Sequence, residues 1–301
     1  MNITLRQLQV FSTVARHGNV SNAAEELRIT QSAASMALGE LERQLKDKLF
    51  DRVGRRLSLN ERGRMLLPRA VEILARVREV GELFSSEDDR MAGVLNVGTS
   101  STIGNYLMPR LLGAFTADYP LVRVQLEVGN TEQILQEVVD FRIDLGAIEG
   151  FCHLPEVEAI PWVRDRLAVV APPEHPLARR GSISAKELAE ARWILRERGS
   201  GTREIFQAAA AKGLVRLEVF LELGHTEAIK QAVEAGLGIS CLSRMALARN
   251  LEEGTLVELP TPFLDLERNF FLVIHREKYR TGVLRAFFDY CRTRGPQTPL
   301  R

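Results

Sequence analysis

The sequence predicts an α/β protein in three parts: a winged helix-turn-helix at residues 1–60, a linker helix at 61–92 and a larger domain at 93–301. Three observations predict this organisation. Closely spaced amphipathic helices open the chain, an apolar heptad follows them, and beyond Gly93 short apolar strands alternate with amphipathic helices. That alternation is typical of largely parallel sheets covered by helices.

The composition bounds the class of protein. A chain of 301 residues that is 45% hydrophobic and 26% charged excludes disordered and fibrous proteins. There is no basic leader, and no segment approaches the ~18 apolar residues of a membrane span, so we expect a soluble cytoplasmic protein that does not contact the membrane. The cysteines are too few and too widely spaced for a disulfide framework or a zinc site, and we expect no metal or other cofactor.

The first apolar stripe predicts a helix that ends at Gly18 and Asn19. Ser21 is expected to cap a second helix and Thr30 a third, and the tight turn between them predicts a helix-turn-helix. The third helix begins with "QSAAS", whose small residues permit close approach to DNA and whose amide and hydroxyl groups read base edges. The candidates for base contacts are Gln31, Ser32 and Ser35.

A basic turn follows in "LFDRVGRRLSLNERGRML". Arg52, Arg55 and Arg56 surround Gly54 ahead of an alternating segment, as in a wing whose arginines contact phosphates without reading sequence. Residues 1–70 carry 12 Lys and Arg against 7 Asp and Glu, although the whole chain has a net charge of only +1. A plain three-helix core with a solvated polar face remains the alternative at this point.

The linker helix is expected to begin after Asn60, which acts as its cap. Apolar residues then recur at steps of 4 and 3, which predicts a seam for a partner helix and a dimer that reads a pseudo-palindromic site. The residues of this seam are Leu66, Ala70, Ile73, Val77, Val80 and Phe84.

These segments resemble the LysR-type transcriptional regulators, through "LRQLQVFSTVARHGNVSNAAEELRITQSAAS", "LERQLKDKLFDR" and "LSLNERGRMLL". Two positions depart from the family pattern: Met36 stands where an arginine is expected, and Asn60 where a threonine opens the linker helix. The resemblance implies binding to double-stranded DNA as a homodimer or homotetramer, with RNA polymerase as a further partner. The DNA-binding set is then Ser21, Thr30, Gln31, Ser32, Ser35, Met36, Arg52, Arg55 and Arg56.

The same resemblance implies that the larger domain is an effector-binding domain of the periplasmic-binding-protein-like kind. Subdomain I would comprise about 93–161 and 266–301, and subdomain II about 162–265. The strands predicted by the apolar pattern are Val94–Val97, Val122–Val128, Leu145–Ile148, Leu167–Val170, Trp193–Leu195, Val219–Leu221, Ile239–Leu242 and Phe270–Ile274.

Four strand-to-helix junctions in this domain are rich in hydroxyl groups. Ligands of open α/β sheets bind beyond the strand ends, where helices begin, so the four junctions predict a small-molecule site. Hydroxyls, backbone N–H groups and helix dipoles suit an anion, with Arg196 or Arg203 as an added cation. The predicted effector-binding residues are Thr99, Ser100, Ser101, Thr102, Asn130, Thr131, Glu149, Ser200, Gly201, Thr202, His225 and Thr226.

Glu149 complicates the choice of ligand. Beside an anion this carboxyl must be protonated, paired with arginine, or matched to a donor group of the ligand, such as an amine or an acid proton. The stretches "RERGSGTRE" and "AIEG" resemble LysR-type regulators of sulfur assimilation and carbon fixation. That resemblance implies a small anionic metabolite, and we expect a sulfur oxyanion.

An enzyme acting on a small phosphorylated or anionic substrate is the alternative. The sequence lacks a phosphate-binding loop lysine, since Gly201 is followed by Thr202 and Arg203, and it has no G-x-S-x-G or H-E-x-x-H motif. His225 could act as a base, but no nucleophile lies near it in sequence. We therefore expect sensing rather than catalysis.

Overall fold

The computed structural model describes residues 2–53, 56–82 and 91–294. Arg55 and Phe84, two residues of the predicted wing and seam, lie outside these ranges. The α-helices are α1 (Leu5–His17), α2 (Val20–Glu26), α3 (Gln31–Leu45), α4 (Glu61–Glu82), α5 (Ser101–Tyr106), α6 (Met108–Asp118), α7 (Thr131–Val139), α8 (Ala185–Ala189), α9 (Gly201–Lys212), α10 (Thr226–Glu234), α11 (Arg244–Glu253) and α12 (Gly282–Arg294). The strands are β1 (Phe50–Val53), β2 (Arg56–Leu59), β3 (Gly93–Ser100), β4 (Val122–Gly129), β5 (Leu145–Glu149), β6 (Val157–Ala171), β7 (Trp193–Arg196), β8 (Val219–Leu223), β9 (Ser240–Ser243), β10 (Val257–Glu258) and β11 (Glu267–His275).

The N-terminal helices form the predicted helix-turn-helix. Gly18 ends α1 with a left-handed φ of 62°, and Thr30 caps α3 by accepting a hydrogen bond from the backbone N–H of Ala33 at 3.2 Å. The prediction that Ser21 caps α2 is wrong. Asn19 is the cap, because the helix already begins at Val20 and the Asn19 side chain accepts from the N–H of Ser21 at 2.7 Å.

The linker helix α4 packs against the wing hairpin β1–β2 and the helix-turn-helix core. Asn60 caps it as predicted, accepting from the N–H of Gly63 at 2.9 Å. A side chain at Gly63 would overlap the carbonyl oxygen of Leu49, so this approach requires glycine. The same core, centred on the fully buried Phe11, also receives Phe141 from the loop just before β5.

The larger domain contains two lobes, each with its own sheet and apolar core. In the first lobe β3 pairs in parallel with β4 and β5, and β11 closes the sheet against β5. In the second lobe β7 and β8 pair in parallel. An isolated bridge from Trp193 to Ile239, the residue just before β9, joins them to β9, which itself pairs with β6. All eight predicted strands of this domain are present.

Two long strands connect the lobes. β6 pairs with β11 over its first part and with β9 and β10 over its last part, so one strand serves both sheets. The expectation of largely parallel sheets is therefore wrong, because every pairing of β6 and β11 among the described residues is antiparallel. The apolar pattern identified only Leu167–Val170 of β6, since Pro161 and several charged residues interrupt its first half.

Within the described ranges, none of the helices combines the length and the apolar character needed to cross a bilayer. The same residues contain no cluster of three or more His, Cys, Asp or Glu side chains suited to a metal ion.

Candidate functional site

The carboxyl group of Glu149 is the centre of a hydroxyl cluster between the lobes. Glu149 as a whole residue is only 1% exposed. Ser100 and Thr102 of the first lobe donate to it, Thr102 at 3.1 Å, and Thr202 of the second lobe donates at 3.4 Å. A buried acidic group is stabilised by such hydrogen bonds, which here come from both sides of the cleft.

Local sequence explains this convergence. β3 ends at Ser100 and β5 at Glu149, so parallel pairing brings both residues to one edge of the sheet. The second lobe reaches this edge with the first turn of α9. Gly201 permits the contact, because a side chain there would overlap the carbonyl oxygen of Glu149 and lie 2.7 Å from the Thr131 hydroxyl.

Arg196 is a second link between the lobes. Its guanidinium is buried, is held by two hydrogen bonds to Glu197 at 2.7 and 2.8 Å, and also donates to Ser101 of the first lobe at 3.1 Å. It contacts Thr226 at 3.4 Å within its own lobe. Arg196 is one of the two cations, with Arg203, that the sequence suggests for this site, and it lies beside two of the predicted hydroxyls.

An ion pair between the two connecting strands β6 and β11, which form the hinge between the lobes, was not predicted. Asp165 on β6 and Arg268 on β11 are direct partners across the two connecting strands, with 2.6 Å between Nε and the carboxyl oxygen. The Arg268 side chain is 1% exposed and donates to Thr202 at 2.9 Å, while Ser243 donates to Asp165 at 2.8 Å. A hydrogen-bonded chain therefore runs from the hinge to Glu149.

One signal in the sequence could have revealed Arg268. In β11 the alternation of inward and outward residues places Arg268 on the same buried face as Phe270. A charged residue at an inward position of an apolar strand requires a buried partner. The partner itself is 103 residues away, and no local pattern identifies it.

Tyr106 and Glu227 form a third contact between the lobes. The Tyr106 hydroxyl donates to Glu227, which also receives Lys230 at 2.9 Å. Burial is the largest cause that raises the pKa of Tyr106, and the hydrogen bond to Glu227 raises it further. Burial opposes ionisation of Glu227, but the hydrogen bonds from Tyr106 and Lys230 outweigh it and lower the pKa of Glu227.

The other predicted effector-binding residues have separate environments. Asn130 forms a capping box with Gln133 at the start of α7, a sufficient structural reason for its presence. Thr131 donates to the Glu149 carbonyl at 2.6 Å. His225 precedes α10 without a side-chain capping bond and is exposed, so the structure does not bring it into the hydroxyl cluster.

Two predicted hydroxyls are buried without a hydrogen-bond partner among the described residues: those of Thr99 and Ser200. Ser200 lines a neighbouring cavity of about 770 Å³ between α7 and α9 rather than the hydroxyl cluster. Arg203 also lines this cavity, where it donates to Glu222, and this hydrogen bond lowers the pKa of Glu222.

On the N-terminal domain, the predicted base-contact residues share one exposed face of α3. Gln31, Ser32, Ser35 and Met36 are all exposed, and the Met36 residue is 73% accessible. Arg52 and Arg56 are exposed on the wing strands. Ser21 is exposed near the start of α2, and Thr30 is occupied as the cap of α3.

Comparison with known families agrees with this arrangement. Residues 5–64 match the bacterial regulatory helix-turn-helix protein, lysR family, and residues 88–296 match the LysR substrate binding domain. The chain belongs to the LysR-type transcriptional regulators. Regulators of this family, including the relatives of this chain, are not enzymes, so the enzymatic alternative is set aside.

Three comparisons place this LysR-type regulator among its relatives. It is 47% identical to the uncharacterized HTH-type transcriptional regulator YeiE of Escherichia coli K12, over 97% of this chain and 98% of the relative. It is 34% identical to a RuBisCO operon transcriptional regulator of Allochromatium vinosum, over 96% of each chain. The regulatory domain of CcmR from Synechocystis PCC6803, solved in complex with 2-PG, is 32% identical, with a TM-score of 0.64 over 69% of this chain and 99% of that domain.

LysR-type regulators assemble into oligomers, and α4 offers a surface for pairing. Ile73, Val77 and Val80 of the predicted seam are exposed, whereas Ala70 is buried and Leu66 half-buried against the chain's own helix-turn-helix core. The seam is thus divided between residues that pack on the chain's own core and an exposed apolar edge.

Proposed function

We propose that this LysR-type regulator senses a small anion bound between the two lobes, and that the anion is a sulfur oxyanion. The observation that carries the proposal is the convergence of hydroxyls from both lobes on the buried Glu149. Small hydroxyl-rich sites at helix starts suit oxyanions. The similar CcmR domain was solved with 2-PG, a small anionic ligand, which also supports the proposal.

Glu149 determines which anions fit. A fully deprotonated anion would meet a carboxyl group, whereas an oxyanion that keeps one acid proton can donate to Glu149 and accept from the surrounding hydroxyls. The buried Arg268 supplies a further donor, because one of its terminal nitrogens has no partner among the described residues. A singly protonated sulfur oxyanion such as hydrogen sulfite meets both requirements.

The mechanism follows from the placement of the site. An anion held by both lobes favours one closure angle around β6 and β11, and its influence is limited to the affinity difference between the open and closed states. We propose that residues 93–301 respond in this way, and that residues 61–92 pair two chains. Residues 1–60 would bind operator DNA in the cytoplasm, where the complex also contacts RNA polymerase.

Thermal unfolding of the intact protein against sulfite, sulfate, thiosulfate, nitrate and phosphosugars tests the ligand. An anion at ~100 times its dissociation constant should stabilise the chain by ~2.7 kcal/mol, which raises the unfolding temperature by a readable amount. We expect sulfite to do so in the wild type, and Thr202→Ala to reduce the shift strongly.

The matched control for that substitution is Thr116→Ala, since Thr116 lies on α6 and its hydroxyl donates to carbonyl groups of its own helix. An unchanged sulfite response in Thr202→Ala would place the anion elsewhere. If only a phosphosugar raised the unfolding temperature, the effector would be a larger anion and not a sulfur oxyanion.

Two substitutions separate the roles of the DNA-binding surface. Arg52→Ala should weaken binding to all duplexes and reduce the salt slope by about one, because it removes a phosphate contact. Ser35→Ala should change the preference among operator variants with little change in the salt slope. Titrations over a range of salt concentrations check both, and equal scaling of every affinity by both variants would contradict this division.

A further inference from the structure

The cavity between α7 and α9 is separate from the hydroxyl cluster. Its volume of about 770 Å³ is in the range of sites for small organic ligands, and it is far larger than an inorganic oxyanion requires. α7 belongs to the first lobe and α9 to the second, so a molecule in this cavity would contact both lobes. Its lining has three parts of different chemistry.

The first part suits an anionic group. The hydroxyl of Ser200 lies at the N-terminus of the 12-residue α9, is 97% buried as a residue, and has no hydrogen-bond partner among the described residues. The helix dipole adds positive potential at this position. Arg198 lies two residues earlier on the same wall, whereas Arg203 is held by Glu222.

The second part suits a cationic group. The carboxyls of Glu132 and Glu204 line the cavity, and neither forms an ion pair within the part of the chain that the structure describes. Glu132 lies close to the loop that carries Ser200, and Glu204 lies close to the loop after β5. A methyl group added at Gly199 would be 2.5 Å from a carboxyl oxygen of Glu132, and one at Gly150 would be 3.3 Å from a carboxyl oxygen of Glu204.

The third part is apolar. Phe151 is 49% exposed although it lies on the cavity wall, its ring stacks on that of His153 at 5.9 Å, and Leu135 and Leu154 complete the surface. An exposed aromatic ring beside aliphatic side chains offers a face on which a second ring can stack.

We propose that this cavity binds a zwitterionic amino acid with an aromatic side chain. Its carboxylate would bind to Ser200, Arg198 and the start of α9, its ammonium group to Glu132 and Glu204, and its ring to Phe151. Such a ligand would stabilise the closed lobes from a position beside the anion site. This inference does not depend on the identity of the anion, because none of the three hydroxyls around Glu149 lines the cavity.

Calorimetric titration of the intact protein with L-tryptophan, L-phenylalanine and L-tyrosine tests the proposal. At least one should bind, and the same ring with only one charge should bind at least about tenfold more weakly, because one charge-assisted set of hydrogen bonds is lost. For tryptophan these single-charge probes are tryptamine and indole-3-propionate. Absence of binding by all three amino acids up to millimolar concentration overturns the proposal, as does a single-charge probe that binds as tightly as its amino acid.

Substitutions locate the site. Phe151→Ala and Glu132→Gln change exposed side chains, so both variants should fold, and each should weaken amino-acid binding by about tenfold or more. Phe263→Ala is the matched control, since Phe263 is also partly exposed but does not line the cavity. Unchanged binding in both cavity variants, or equal loss in the control, overturns the assignment. Sulfite titration of the same variants reports separately on the anion site.

Discussion

Asp165→Asn should lower the free energy of unfolding of the effector-binding domain by about 3–5 kcal/mol. The substitution keeps the shape of the side chain but leaves the buried Arg268 guanidinium without its ionic partner. An uncompensated buried charge is among the largest effects that a single substitution produces. Since domains are typically stable by only 5–15 kcal/mol, urea denaturation should show a much earlier transition.

Arg249→Ala is the control for this experiment. Arg249 and Glu253 form an ion pair on the exposed face of α11, where water screens the interaction, and we expect no measurable change in stability. The double variant Asp165→Asn with Arg268→Met should be more stable than the sum of the two single losses predicts. A loss below about 1 kcal/mol in Asp165→Asn would mean that the pair does not stabilise the hinge.

Gly201→Ala should open the two lobes. Alanine is acceptable at the first position of a helix, so α9 itself should form normally. The added methyl group, however, would overlap the Glu149 carbonyl and crowd the Thr131 hydroxyl across the cleft. Overpacking of this kind typically costs about 1–3 kcal/mol, which corresponds to a roughly fivefold to 150-fold shift away from the closed state.

Amide hydrogen exchange measures that shift directly. The N–H of Glu132 in the first lobe donates to the carbonyl of Gly199 in the second at 3.1 Å, and it should exchange faster in Gly201→Ala. Gly113→Ala serves as the control, because a methyl group there meets no atom within 4 Å. If exchange at Glu132 were the same in both variants, the lobes would not be held together at Gly201.

Periodicity predicted the elements of the fold because each element carries its own pattern. The hydrophobic stripe of α1 ending at Gly18, and the strands before each hydroxyl-rich junction, are local features that the structure contains. The pattern missed the first half of β6, which mixes charged residues with Pro161, is mostly only partly buried and pairs with the distant strand β11. The cap of α2 was misplaced by two residues because Asn19 and Ser21 are both good caps, and the helix begins one residue before Ser21.

The candidate site was predicted only where it follows strand ends. Ser100 and Glu149 come together because the parallel strands β3 and β5 end at one edge of their sheet, and the first turn of α9 brings Thr202 to that edge from the second lobe. Asp165, Arg268 and the contact of Tyr106 with Glu227 depend on pairings across more than 100 residues, which no single segment encodes.

The loop before β5, together with β5, connects the helix-turn-helix core to the cleft between the lobes. Phe141, held at a left-handed φ of 56°, packs on the helix-turn-helix core, and eight residues later the same chain segment delivers Glu149 to the cleft. If effector binding shifts this segment, the two binding equilibria are coupled thermodynamically. Linkage then works in both directions: whatever factor the effector applies to operator affinity, operator DNA must apply to the affinity for the effector. A promoter with a strong operator would therefore respond at a different effector concentration from one with a weak operator.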